Sequence, residues 1–144
     1  MGGNGRDLLI GGRGQDLIVG NWDDDILISG YTAYDANAVA LLAILDEWTS
    51  GHDYAVRVDN LRGIGGGGLN QGYFLTTEGA TRTVFDDDAR DILTGGWGRD
   101  WFLANCLHDD EGRRDRITDL SANEFADDLD WIEEELLVED PEGQ

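Results

Sequence analysis

The residues Gly2-Gly3-Asn4-Gly5-Arg6-Asp7-Leu8-Leu9-Ile10 run directly into Gly11-Gly12-Arg13-Gly14-Gln15-Asp16-Leu17-Ile18-Val19. Both follow one pattern, Gly-Gly-x-Gly-x-Asp-x-U-x, where U is a large apolar residue, and the period is nine. A third unbroken copy, Gly95-Gly96-Trp97-Gly98-Arg99-Asp100-Trp101-Phe102-Leu103, lies far downstream. Self-similarity at a short fixed period marks a repeat architecture, in which each unit buries its apolar face against the next. The glycines permit positive φ, so backbone carbonyls can turn toward a common point without a Cβ clash. The three residues after each Asp suit a short strand whose middle side chain points inward. A carboxylate recurring in phase with those carbonyls makes an all-oxygen shell of the kind a hard cation such as calcium takes. A flexible glycine-rich linker is the competing reading, but linkers do not keep an Asp and an apolar residue in fixed phase.

On these copies the chain resembles the repeats-in-toxin family, also called haemolysin-type calcium-binding repeats. The resemblance is specific over residues 2–28 and 86–103, looser over 104–132, and says little about 31–85. It implies a mostly β fold, a right-handed parallel β-roll of nonapeptide repeats in which two repeats make one turn. Ca2+ ions then sit between loops stacked on the same side. The resemblance also implies a non-catalytic calcium-binding module rather than an enzyme. Such a module folds on meeting extracellular calcium and supports the secretion or stability of a larger secreted protein, exported from a bacterium by a type I apparatus.

The repeat phase predicts one domain over 1–144, with N-terminal repeats at 2–30, an insert at 31–85, returning repeats at 86–118 and a C-terminal cap and acidic tail at 119–144. A degraded repeat, Gly20-Asn21-Trp22-Asp23-Asp24-Asp25-Ile26-Leu27-Ile28, keeps Asp25 and Leu27 in phase. Asp and an apolar residue return together at Asp91 and Leu93, and again at Asp115 and Ile117. Stacking every second repeat predicts one inward column of Leu9, Leu27 and Phe102 and another of Ile18, Leu93 and Ile117. It pairs Asp7 with Asp25 at one ion and Asp16 with Asp91 at a second, while Asp25 or Asp23 joins Asp100 at a third. Carbonyls near Gly3, Gly5, Gly12, Gly14, Gly96 and Gly98 complete the shells. The third site is the weakest by sequence, because Asn21 and Asp23 replace loop glycines.

The insert is not repeat-like. Asp35 to Thr49 has the apolar spacing of a helix, with Gly51 as its stop. A second helix, capped from Ser50-Gly51-His52-Asp53, runs to about Arg62 and ends at Gly63. Tyr73-Phe74-Leu75 and Thr83-Val84-Phe85 suggest a hairpin around Glu78-Gly79. Packing on one face of the repeats is the expected fate of the apolar first helix. Ser121-Ala122-Asn123-Glu124 reads as a capping box and so predicts a helical turn, within a closing segment that caps the repeats. From Glu133 onward the chain is acidic and is expected to fray.

Formal net charge is −21, from 31 acidic and 10 basic residues. Phosphate binding needs Lys and Arg, so nucleic acid is excluded as a partner. The acids cluster beside glycines, which favours cation binding over a merely solvated surface. One cysteine, Cys106, forbids an intrachain disulfide, and metal is the alternative staple for a small secreted chain. No apolar run reaches the ~20 residues that span a bilayer, and residues 1–20 do not read as a signal peptide. Met1 abuts a repeat, as in an excised module of a longer parent polypeptide.

No constellation supports catalysis or an organic cofactor. Neither His52-Asp53 nor Cys106-x-His108 has a zinc spacing. Ser50, Thr76, Thr77 and Ser121 lack a nucleophile-elbow setting. Asp140-Pro141 is an acid-labile bond type, too near the end to weigh. Trp22, Trp97 and Trp101 are either core or cap residues, or an exposed aromatic platform for a glycan or protein ligand.

Overall fold

The computed structural model of the chain describes residues 1–105 and 114–129. The chain runs through β1 (Leu8–Ile10), β2 (Leu17–Val19), β3 (Ile26–Ile28), β4 (Tyr31–Thr32), α1 (Ala38–Trp48), α2 (Tyr54–Arg62), β5 (Val84–Phe85), β6 (Ile92–Thr94), β7 (Trp101–Ala104), β8 (Arg116–Ile117) and β9 (Phe125–Asp128). Two sheets are parallel: a four-stranded one ordered β1-β3-β7-β9 and a three-stranded one ordered β2-β6-β8. Consecutive repeat strands thus fall alternately into the two sheets. Leu9, Leu27 and Phe102 are aligned in register across the first, and Ile18, Leu93 and Ile117 across the second.

The mostly β class expected from the repeats is overturned: the fold is mixed α and β, with a layer of two helices, and it is not a plain β-roll. Parallel strand pairing is the part of that expectation the structure keeps. The physical reason lies in the strands. Leu27 and Phe102 face Ile18 and Leu93 of the other sheet, whereas Ile26, Ile28, Trp101 and Leu103 point the opposite way. That second face is covered by Ile44 and Trp48 of α1 and by Tyr54, Val58 and Leu61 of α2, in the larger of the two apolar clusters. Parallel strands covered on both sides read as continuous apolar runs. Ile26–Ile28 and Trp101–Ala104 are accordingly wholly buried. Each large aliphatic side chain so buried contributes about 1.5–3 kcal/mol.

Local chemistry sets the helix bounds. The Asp35 carboxylate accepts from the Thr32 backbone and hydroxyl, at 3.1 and 2.6 Å, so α1 begins later than its apolar spacing suggests. Asn37 caps it, its side chain accepting from the Ala40 N–H at 3.2 Å. Helix α2 ends at Gly63, whose φ of 81° suits a residue without a Cβ.

Two local expectations are corrected. Val84–Phe85 does not form a hairpin strand with 73–75; it pairs antiparallel with Tyr31–Thr32 at the base of the insert. The two segments meet instead around Thr76 and Thr83: the Thr83 and Val84 N–H groups both donate to the Thr76 carbonyl at 3.0 Å, and the Thr83 hydroxyl donates to the Phe74 carbonyl at 2.6 Å. The capping box at Ser121 makes its reciprocal bond, from the Ser121 N–H to Glu124 at 3.0 Å. A strand follows rather than a helix, since Glu124 stands nine residues after Asp115 and β9 extends the sheet as one more rung. Among the described residues no helix is long and apolar enough to cross a membrane.

Candidate metal centre

The loops between strands share one backbone plan. Their second and fourth positions have positive φ: 83° and 87° at Gly3 and Gly5, 80° and 93° at Gly12 and Gly14, and 86° and 93° at Gly96 and Gly98. Asn21 and Asp23, at the same positions of the degraded repeat, hold φ of 79° and 68°. Their short polar side chains tolerate this region better than other non-glycine residues. The loops stack on alternate repeats. The Trp22 N–H binds the Gly3 carbonyl at 3.2 Å and the Trp97 N–H binds the Asn21 carbonyl at 2.8 Å.

This stacking lines the repeat aspartates into two ladders. In the first, the Asp7 N–H donates to Asp25 Oδ1, the Asp25 N–H to Asp100 Oδ1 and the Asp100 N–H to Glu124 Oε2, each at 2.8 Å. In the second, the Asp16 N–H donates to Asp91 Oδ1 at 2.5 Å and the Asp91 N–H to Asp115 Oδ1 at 2.7 Å. One oxygen of each inner aspartate is therefore occupied by the neighbouring backbone.

The other oxygen is not. Oδ2 of Asp7, Asp16, Asp25, Asp91 and Asp100 is buried without a hydrogen-bond partner, as is Oδ2 of Asp87. Beside Oδ2 of Asp7, Asp16, Asp25 and Asp100 the first glycine of the repeat keeps a space that a Cβ would fill. A Cβ on Gly2 would lie 2.6 Å from Asp7 Oδ2 and 3.0 Å from the Gly20 carbonyl oxygen. On Gly11 it would lie 2.8 Å from Asp16 Oδ2 and 3.1 Å from the Ser29 carbonyl oxygen. Gly20 stands likewise against Asp25 Oδ2 and the Gly95 carbonyl. A buried, unpaired carboxylate oxygen is costly by itself. Together with adjacent carbonyl oxygens it fits the donor set of calcium.

Electrostatics agree with the geometry. Burial pushes the Asp25 carboxyl up to about 8; the Asp7 N–H opposes the rise, and the carboxylates of Asp7, Asp23 and Asp24 add to it. Burial likewise raises Asp100 to about 8, with Asp25, Glu124 and Asp119 adding to the rise. Asp91 reaches about 7, first through burial and then through Asp115, Asp87 and Asp16. Asp7 and Asp16 are also raised, chiefly by burial. Crowded carboxylates without a counter-charge prefer to hold protons, and a divalent cation removes that preference.

The pairs expected from the sequence are adjacent: Asp7 with Asp25, Asp25 with Asp100, and Asp16 with Asp91. Asp25 rather than Asp23 meets Asp100, because Asp23 Oδ2 instead accepts the Gly5 N–H at 2.8 Å. Sequence reasoning missed Asp87, which offers an oxygen within 4.8 Å of those of Asp16 and Asp91. The run Asp86-Asp87-Asp88 signalled acidity there without saying which member turns inward. Reasoning missed Glu124 too, although its nine-residue phase was legible. It also overlooked the first glycine of each repeat, whose missing Cβ keeps room beside Oδ2.

Elsewhere, Glu47 is fully buried and binds His52 Nδ1 at 2.8 Å, while the Ser50 hydroxyl lies 3.2 Å from the same nitrogen. A serine–histidine–acid relay uses both ring nitrogens, so these three residues do not form one. Trp101 is core, whereas Trp22 and Trp97 are 52% and 68% exposed and stack with centroids 5.7 Å apart. Cys106, His108, the tail from Glu133 and Asp140-Pro141 lie outside the described residues. Compared with protein-family models, curated proteins and solved structures, the chain finds no match in any of the three.

Proposed function

We propose that this chain is a non-catalytic calcium-binding module of the repeats-in-toxin kind. It folds when it takes up calcium outside the cell and supports the secretion or stability of a larger secreted protein. The observation that carries this reading is the set of buried, unpartnered Oδ2 atoms on Asp7, Asp16, Asp25, Asp91 and Asp100, all but that of Asp91 beside a glycine that leaves room for them. Such groups are tolerable when protonated or when shared by a cation, and a net charge of −21 favours the cation. Binding free energy is then folding free energy, since the unfolded chain has no preformed shell.

The test is circular dichroism and a metal count on the purified protein, in chelator and in millimolar calcium. Several bound ions and a marked gain of ordered structure with calcium are expected. An unchanged spectrum and melting temperature, with no bound ion, would refute the reading.

A second reading rests on the exposed indole pair of Trp22 and Trp97, which forms an aromatic surface for a glycan or protein ligand. A glycan and protein screen on the calcium-loaded form, repeated with Trp97→Ala, tests it; binding that survives the substitution counts against it.

A further inference from the structure

The insert leaves the repeats at Ser29-Gly30 and returns through Phe85-Asp86-Asp87, and the two stretches lie against each other. A Cβ on Gly30 would collide with the Phe85 carbonyl. Tyr31–Thr32 pairs with Val84–Phe85, and the Gly12 N–H binds the Gly30 carbonyl at 2.8 Å. At this neck three carboxylates converge: Asp16 from the second repeat, Asp87 from the junction just after the insert, and Asp91 from the resumed repeat. Each offers an oxygen within 4.8 Å of the other two. Two ligands that each sit ~2.4 Å from one calcium ion are at most ~4.8 Å apart, so the spacing admits a shared ion.

A cluster of acids proves little by itself, and here a second observation points to a ligand. Asp91 is fully buried, and its Oδ2 has no hydrogen-bond partner. Asp87 spends Oδ1 on the Ala89 N–H at 3.3 Å, which leaves its buried Oδ2 unpartnered as well. Asp16 Oδ2 is in the same state, and the Ser29 carbonyl oxygen stands close by, across the space left by Gly11. Asp87 occupies no position that the repeat pattern reserves for an acid; it stands at the junction where the insert rejoins the repeats, in the place of the second glycine.

We propose that Asp87, two residues past the insert, is a junction ligand in a three-carboxylate calcium site with Asp16 and Asp91, and that filling this site fastens the returning end of the insert to the repeats. The proposal rests on the calcium-binding reading above and adds a ligand and a coupling that the repeats alone do not supply. Calcium affinity rises with the number of charged ligands. Losing Asp87 therefore weakens this site and leaves the Asp7–Asp25 and Asp25–Asp100 pairs intact.

The experiment is a calcium titration by calorimetry on the full chain as wild type, Asp87→Asn and Asp88→Asn, with hydrogen exchange at Gly12 and Ala33, whose N–H groups bind the Gly30 and Thr83 carbonyls at the neck. Asp88 is exposed, so its variant controls for the loss of one charge. Asp87→Asn should lose one ion, or bind it at least about tenfold more weakly, and exchange should quicken at both amides. Asp88→Asn should match wild type. Wild-type stoichiometry and affinity in Asp87→Asn would overturn the proposal and leave the general reading standing; wild-type protein that binds no calcium would overturn both. Should Asp87→Asn not fold, the wild-type Asp87 carboxyl carbon resonance decides. It should shift on calcium addition, and a resonance that stays in place at saturating calcium would overturn the proposal.

Discussion

Arg57 donates to the Asp24 carboxylate at 2.7 Å, and so ties the helical layer to a repeat loop beside Asp25. The same guanidinium lies over the Trp48 ring, 4.5 Å from its centroid, and donates to the Trp48 carbonyl. Asp24 also accepts the Arg99 N–H at 2.8 Å, and its carbonyl receives the Trp48 indole N–H at 2.8 Å. The carboxylate next to a candidate ligand is thus committed to holding the two layers together.

Arg57→Met should therefore cost about 3 kcal/mol, since it strands a partly buried carboxylate and removes a stacked cation. Urea unfolding at constant calcium measures the loss. A midpoint equal to wild type would show that Asp24 finds solvent enough without Arg57.

Gly20→Ala separates space from backbone strain. Gly20 has no positive φ, yet a Cβ there meets Asp25 Oδ2 and, at 2.7 Å, the Gly95 carbonyl oxygen. The substitution should destabilise by about 1–3 kcal/mol and lower calcium affinity. Gly5→Ala has open space around its Cβ but a φ of 87°, so it should cost about 1–2 kcal/mol of strain with little change in affinity once folded. Equal affinities for the two variants would contradict the assignment of Gly20 to the site.

Asn21 holds φ of 79° where the unbroken repeats carry glycine. Asn21→Ala should cost about 1 kcal/mol, whereas Asn21→Gly should be close to neutral. Thermal melts of the pair decide it, and the order reversed would mean that the Asn21 side chain matters more than its backbone.

The pH dependence should change sign with calcium. Asp25 and Asp100 are raised to about 8 and Asp91 to about 7, from 3.8. The metal-free fold therefore binds more protons than the unfolded chain, and its stability should fall as pH rises from 3.8 toward about 8. Calcium needs the deprotonated carboxylates, so its affinity should rise over the same span and binding should release protons. Melting curves at several pH values, with chelator and with calcium, test both directions. Parallel curves would show that these aspartates are not coupled to the metal.

What the sequence disclosed followed from phase. Asp7, Asp16, Asp25, Asp91 and Asp100 each precede a strand, so a count of nine places Leu9 beside Leu27 and Ile18 beside Leu93 even with an insert between copies. The α and β balance was not legible in the same way. Ile26-Leu27-Ile28 and Trp101-Phe102-Leu103 are apolar at every position, and only the helices resting on the second face explain why. Asp87 escaped notice because three consecutive aspartates carry no periodicity, and which one turns inward depends on how Phe85 crosses Gly30.

The carboxylate ladders close across the insert: Asp16 meets Asp91, and Asp25 meets Asp100, over 75 residues in each case. Helices α1 and α2 are built from near neighbours and can form as soon as their own segment is available. The rungs cannot be completed so early: β2 has no partner until β6 arrives, and β3, though it can meet β1, waits for β7 on its other edge. Order of assembly is thereby written into the topology, with local helices early and long-range parallel pairing late, the slowest kind of contact for a chain to find. Until that closure, the first thirty or so residues are a set of half-built turns, each waiting for the far side of its own loop.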